Sequence, residues 1–206
     1  MKVYPVMLDL RGRTCVVVGA GAVGLRKARA LCRAGAKVRL VGPRVKRGTD
    51  LRGIERLRAA YAPRHLTGAA LVFACTSDGR LNARIAADGR KLGAWVNVAD
   101  CPRECDFFVP ASLVRGRVTV AVSTGGDVPA LSAALKRTLS VSLPRRLGGF
   151  AAALARLRRQ LSRQVPDAAR RRRILRRLAG PQGYNAFITG GSRALAVLAR
   201  APRKPP

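Results

Sequence analysis

Acidic side chains are scarce in this sequence: 10 Asp and Glu stand against 41 Lys and Arg, for a formal charge of +31. After position 127 a single acid remains, Asp167. The chain holds one histidine, His65, so a His-based catalytic triad and a multi-histidine metal site are excluded by count. Aromatic residues make up only 4%, which argues against the stacking surface of a nucleic-acid binder. No apolar run approaches the ~18 residues that a membrane-crossing helix needs, and the first residues carry Pro5 and Asp9 where a secretion signal requires an unbroken apolar segment. Neither a G-x-S-x-G elbow nor a Walker loop occurs. The five cysteines are an odd number. Cys15, Cys32 and Cys75 fall inside apolar patterns, as small buried hydrophobes do in a reducing compartment. These absences predict a cytoplasmic protein that makes no membrane contact. The excess charge is either a solvated, arginine-rich face or a field that draws in a small polyanion.

What is present centres on Thr14-Cys15-Val16-Val17-Val18, a β-branched run that breaks into Gly19-Ala20-Gly21-Ala22-Val23-Gly24 and then into good helix formers from Leu25 to Leu31. Strand, glycine turn and helix follow in the order a dinucleotide site requires. Gly19 permits the tight turn, Gly21 removes a Cβ from the path of a pyrophosphate, and Gly24 lets the helix pack close to the strand. The helix start, with its free N–H groups and positive dipole end, then faces the phosphates. The bland alternative is a structural glycine turn beside an empty crevice.

Further strands are expected at Lys37–Val41, Arg56–Tyr61, Leu71–Cys75 and Ala94–Val98, separated by helical segments, which predicts a parallel, doubly wound sheet over about the first 110 residues. Thr76-Ser77-Asp78 supplies N-cap chemistry for a helix over 81–92. Val3 to Leu10 reads as an extended segment covering part of the crevice. Arg117 to Ser123 alternates as a strand, and Ser123-Thr124-Gly125-Gly126-Asp127 turns into a helix over 128–142, with Asp127 as cap and Pro129 in its first turn. One strand and one helix cannot close a core, so this unit predicts a homodimer. From Leu147 the pattern is helical and basic, including a short helix over 167–178, and residues 201–206 read as disordered. The expected division is 1–113, a small α+β dimerisation unit over 114–146, and a basic helical region over 147–206.

Ligands of a doubly wound sheet lie beyond the carboxyl ends of its strands, which singles out Gly19 to Gly24, Gly42 to Arg44, Cys75 to Asp78 and Asn97 to Cys101. The second strand ends in Gly42 rather than in the acid that usually binds a ribose 2′-hydroxyl, with Arg44 close behind, so NADP stands as open as NAD. Asp100 follows the fifth strand, where a carboxylate takes a proton while hydride leaves for a cofactor, or holds a metal ion. Its bland reading is a loop cap at Asp100-Cys101-Pro102. Cys101 and Cys105, four apart, share a helix face but lack two further metal ligands. His65 reads as part of a surface helix turn, without function. Ser123-Thr124-Gly125-Gly126 is a second strand-to-helix anion nest, suited to a carboxylate.

Taken together, Val3 to Leu10, Val16 to Ala28, Ala74-Cys75-Thr76-Ser77-Asp78 with Leu81-Asn82, Asn97-Val98-Ala99-Asp100, Cys105-Asp106-Phe107 with Val109-Pro110, and Ser123 to Gly126 with Pro129-Ala130-Leu131 resemble the precorrin-2 dehydrogenase and sirohydrochlorin ferrochelatase family, the N-terminal module of sirohaem synthase. The resemblance implies a Rossmann-like parallel sheet domain, then the dimerisation unit and the helical region. It implies NAD-dependent oxidation of precorrin-2 to sirohydrochlorin on the way to sirohaem or a cobalamin, with Fe2+ insertion in many members. By motif match, Ala22, Val23, Pro43 and Arg44 would contact NAD, beside Gly19, Gly21, Gly24 and Thr76, which the glycine spacing and the strand ends already single out. Thr124 matches a position that is often serine and lies in the tetrapyrrole cleft; Asn97, at a strand end, and Ser123, Gly125 and Gly126, in the anion nest, are expected to line the site of this tetrapyrrole polycarboxylate, whose charge gives the basic surface a use. Asp100 matches the family's essential aspartate, the general base and a transient metal-handling group. The competing reading is an NAD(H)-sensing, nucleic-acid-binding regulator, for which no helix-turn-helix is found.

Overall fold

In the computed structural model, which describes residues 3–45 and 50–200, the chain divides into two compact units, residues 1–109 and 110–206. In the first, β1 (Thr14–Val18), β2 (Lys37–Val41), β3 (Ile54–Leu57), β4 (Ala69–Ala74) and β5 (Trp95–Val98) form a parallel sheet in the order β3-β2-β1-β4-β5. The order reverses between β1 and β4, which opens a crevice at their carboxyl ends. β1 is central because both its faces are apolar: Cys15 to Val18 are at most 2% exposed. Helix α1 (Ala22–Arg33) covers one face, where Cys15, Val17, Ala28, Leu31, Leu71 and Phe73 pack, and α2 (Gly79–Lys91) covers the other with Ile85 and Ala86 against Val16, Val72 and Val96.

Two expectations, on the third strand and on His65, shift here. The third strand lies at Ile54–Leu57, earlier than Arg56–Tyr61, because its register is set by pairing Val38 with Ile54. Residues 3–9 are extended and exposed, and only Leu10 of the segment packs against the core. His65 is no surface residue: it is 8% exposed in a short 3₁₀ turn, and its Nδ1 accepts the Ala62 N–H at 3.1 Å.

The second unit opens with a strand the sequence pattern hid. β6 (Ala111–Arg115) pairs antiparallel with β7 (Val118–Val122), and α3 (Pro129–Ser142) packs on the hairpin. β6 went unseen because its alternation, Ala111, Leu113 and Arg115 inward, ends in a charge. Pro129 opens α3 as expected, but Asp127 does not cap it: the residue at the cap is Val128, whose N–H donates to Thr124 Oγ1 at 3.1 Å. α4 (Leu147–Gln164), α5 (Ala168–Ala179) and α6 (Pro181–Arg200, broken at Gly191) then enclose a separate core of Phe150, Leu157, Leu161, Leu178, Phe187 and Leu195. Asp167 caps α5 through the Ala169 N–H. The expected disorder of 201–206 lies outside the described residues.

Candidate active site

The glycine loop is built as its spacing predicts. Gly19 sits at φ +108°, and a Cβ there would lie 2.3 Å from the Cys75 carbonyl oxygen. A Cβ on Gly24 would lie 1.8 Å from the Gly19 oxygen, so no other residue fits between loop and helix. Gly21 differs, since a Cβ added there meets nothing within 4 Å. Its hydrogen preserves open space at the start of α1, where no side chain caps the helix and no acid stands in the first turn. Uncapped N–H groups, the positive dipole end and an open cradle together fit a pyrophosphate. Ala22 and Val23 form the first turn, and Pro43 and Arg44 lie exposed just past β2.

The ends of the neighbouring strands are tied to this loop by the Gly19 N–H to Val41 oxygen (2.9 Å), Cys75 N–H to Val18 oxygen (2.7 Å) and Ala99 N–H to Ala74 oxygen (2.9 Å) bonds. Thr76 Oγ1 donates to Asn82 Oδ1 at 2.7 Å, and the Asp78 carboxylate caps α2 through the N–H groups of Arg80 and Leu81. Thr76 is thus held at the end of β4 by its own helix.

Past β5, Asp100 is exposed and has φ +60°, the one non-glycine residue in the left-handed region among the described residues. No hydrogen bond or ion pair engages its carboxylate among them. Asn97 is 6% exposed and engaged within the protein: its Oδ1 accepts from Lys27 Nζ at 2.9 Å, and its Nδ2 donates to the Phe107 oxygen at 3.0 Å and to Cys105 Sγ at 3.4 Å. Sequence reasoning passed over Lys27. The signal was there, since Lys27 stands in the apolar stripe of Val23, Ala28 and Leu31. Burial pulls its ammonium below the ordinary lysine range, while Cys75, Cys105 and Asp100 act in the opposite direction. Burial likewise pushes the Cys75 thiol up to about 11, so it is an inert packing group. Cys101 and Cys105 flank a 3₁₀ turn, Pro102–Glu104, instead of sharing a helix face. Among the described residues, no group of three His, Cys, Asp or Glu is placed to hold a metal ion.

In the second unit, Ser123 Oγ accepts the Gly125 N–H at 3.1 Å, Thr124 Oγ1 lies 3.3 Å from Ser132 Oγ, and Gly125 and Gly126 both take positive φ. The turn exists, with both hydroxyls engaged in its own framework.

Residues 6–111 match a family model described as "Putative NAD(P)-binding". The chain belongs to that family. This NAD(P)-binding chain is also 38% identical over 174 residues to the siroheme synthase of Ectopseudomonas mendocina, and 37% identical over 176 to that of Azotobacter vinelandii. Siroheme synthase 2 of Aeromonas hydrophila is 38% identical over 181 residues. The matches cover 84–86% of the chain and 38% of each relative, so the chain spans about two fifths of the length of these proteins. The NAD(P)-binding chain shares its fold with a solved structure titled SirC, precorrin-2 dehydrogenase: TM-score 0.80, 24% identity, 97% of this chain and 100% of that one. The family resemblance carried by the motifs is thereby borne out, as are the Rossmann-like sheet and the C-terminal helices. No described helix is long and apolar enough to cross a membrane.

Proposed function

We propose that this chain oxidises precorrin-2 to sirohydrochlorin with NAD, in the cytoplasm and as a homodimer. The observation that carries the reading is Asp100, an exposed and unengaged carboxylate at the end of β5 on the same sheet edge as the glycine loop. The likeness to siroheme synthases over 84% of the chain supports the substrate class.

NAD, when bound, supplies the hydride acceptor, and Gly19 to Gly24, Pro43, Arg44 and Thr76 would hold it. The substrate gives up a hydride and a proton. Asp100 takes the proton, so no further oxidant is needed. The Thr124 turn and the arginine-rich surface would receive substrate carboxylates. Support for the dimer lies in the hairpin and α3, whose Val114, Leu131, Leu135 and Val141 are 60, 48, 43 and 89% exposed. A lone two-stranded sheet is marginal without a second layer. The five free thiols fit a reducing compartment.

An absorbance time course with precorrin-2 and NAD, without metal, tests the reading. Sirohydrochlorin appearing together with NADH is the expected result; no change with a folded, NADH-binding protein would overturn it. Ferrous iron added afterwards assays metal insertion against a protein-free control.

A further inference from the structure

We propose that Lys27 is a positioning residue that ties the dinucleotide helix to the loop bearing Asp100, acting through the Asn97 amide; the inference rests on the oxidation proposed above. The stripe of α1 that faces the sheet is otherwise apolar, and a leucine or methionine at position 27 would continue it. A half-buried ammonium there carries a desolvation cost that an apolar side chain avoids, so stability alone does not account for it. What the charge gains is reach. The side chain crosses the Phe73 ring, with Nζ 4.9 Å from its centroid, and ends on Asn97 Oδ1 at 2.9 Å. It therefore links α1, which begins at the glycine loop, to the far strand β5.

Asn97 hands the link on. With Oδ1 held by Lys27, its Nδ2 faces the Phe107 oxygen and Cys105 Sγ. Cys105 Sγ accepts the Val98 N–H at 3.2 Å and lies 3.4 Å from the Cys101 oxygen. Asp106 closes the return, its carboxylate accepting the Val96 N–H at 2.8 Å and its own N–H donating to the Val96 oxygen at 2.8 Å. Residues 99–107 are so folded back against β5, and Asp100 stands in this loop at φ +60°. A left-handed non-glycine residue is strained and persists where its surroundings over-determine it. The clamp that begins at Lys27 provides that constraint. Without the ammonium, Asn97 Oδ1 is a buried acceptor with no partner, the amide is free to turn over, and the hold on Cys105 and Phe107 is lost.

The test uses the full chain as wild type, Lys27→Met and Lys27→Arg. Maleimide labelling of Cys105, followed by peptide mass spectrometry, needs no substrate. Lys27→Met should raise the Cys105 rate about tenfold, the signature of an easier local opening, while Cys32 on the same helix labels as in wild type. In precorrin-2 oxidation the same variant should lose about 100-fold in kcat, the scale of a misplaced catalytic group. Its KM for NAD and its NADH affinity should stay unchanged, and Lys27→Arg should restore most of the rate. Wild-type Cys105 labelling and wild-type kcat in Lys27→Met would overturn the proposal. Should Lys27→Met not fold, Lys27→Gln, which keeps a donor but neither charge nor reach, is read in the same way. If the wild type itself fails to oxidise precorrin-2, the functional reading falls, and Cys105 labelling alone decides the role of Lys27.

Discussion

In the first unit the central strand β1 is covered on both faces, with Cys15 to Val18 at most 2% exposed, whereas in the second the β6–β7 hairpin turns Ser112, Val114, Thr119 and Ala121 outward, Val114 at 60%. A parallel sheet needs crossover helices, and those helices bury it on both sides as it forms. A hairpin needs only a short turn and is covered mainly by α3, with the start of α4 against its end. The first unit can thus complete its core from its own chain, while the hairpin is left with a face for something else. The charges differ too. Residues 1–109 hold 21 Lys and Arg against 8 acids, and 110–206 hold 20 against 2. The first unit forms ion pairs such as Arg39–Glu55 and Arg90–Asp106. In the second, Arg115, Arg146 and Arg177 donate instead to the carbonyl oxygens of Ser140, Ile188 and Leu198, fastening one element to another without acids.

If Asp100 carries the proton transfer, Asp100→Asn, which keeps a side chain that tolerates the left-handed backbone, should lower kcat about 1,000-fold with an unchanged melting temperature. Thr124→Ala should cost only about tenfold in the same steady-state assay, a change of ~1.4 kcal/mol. Equal losses would erase the distinction. A smaller effect separates the cores. Leu40→Ala and Leu178→Ala, both at 0% exposure, should each cost about 2–5 kcal/mol in urea unfolding. Val114→Ser should cost less than about 0.5 kcal/mol in the monomer but shift sedimentation toward monomers; an unshifted profile would remove the hairpin face from the dimer.

Within the first unit, Gly21→Ala should keep the melting temperature and weaken NADH binding about tenfold by fluorescence titration, or ~1.4 kcal/mol. Gly24→Ala should lose binding and local fold together, because its Cβ meets the Gly19 oxygen. Equal melting temperatures for the two variants would contradict the loop geometry. The smallest effect is from His65, whose protonation is held below the ordinary value of 6.5, burial first and then Arg64 and Arg39. The unfolded chain takes this proton first, so the contribution is whole above 6.5 and declines as pH falls through that value toward the lower folded one. Thermal melts of His65→Gln should be flatter in this window.

Much of the first unit was legible because each signal was local. The β-branched run, the glycine spacing, the cap at Asp78 and the strand ends read directly from neighbours in the chain, and they put the loop, Thr76 and Asp100 on one sheet edge. Where a partner came from elsewhere, reading failed. Asp127 has the chemistry of a cap, yet Thr124 reaches the helix start first. His65 resembles a surface residue until the Ala62 N–H, the Tyr61 ring and the packing of its turn on α2 bury it. The place of Asn97 near the end of β5 is visible in the chain, while its bond to Lys27, 70 positions away, is not.

The sequence by itself determined the alternation of strand and helix, the dinucleotide loop and the acid two residues after β5, since these depend on backbone sterics and on short-range hydrophobic period. Only the tertiary structure decided which polar side chains are spent inside the protein and which remain for chemistry. Burial and hydrogen-bond partnership are set by residues brought together across the sheet: they engage Asn97 and Lys27, and leave Asp100 open.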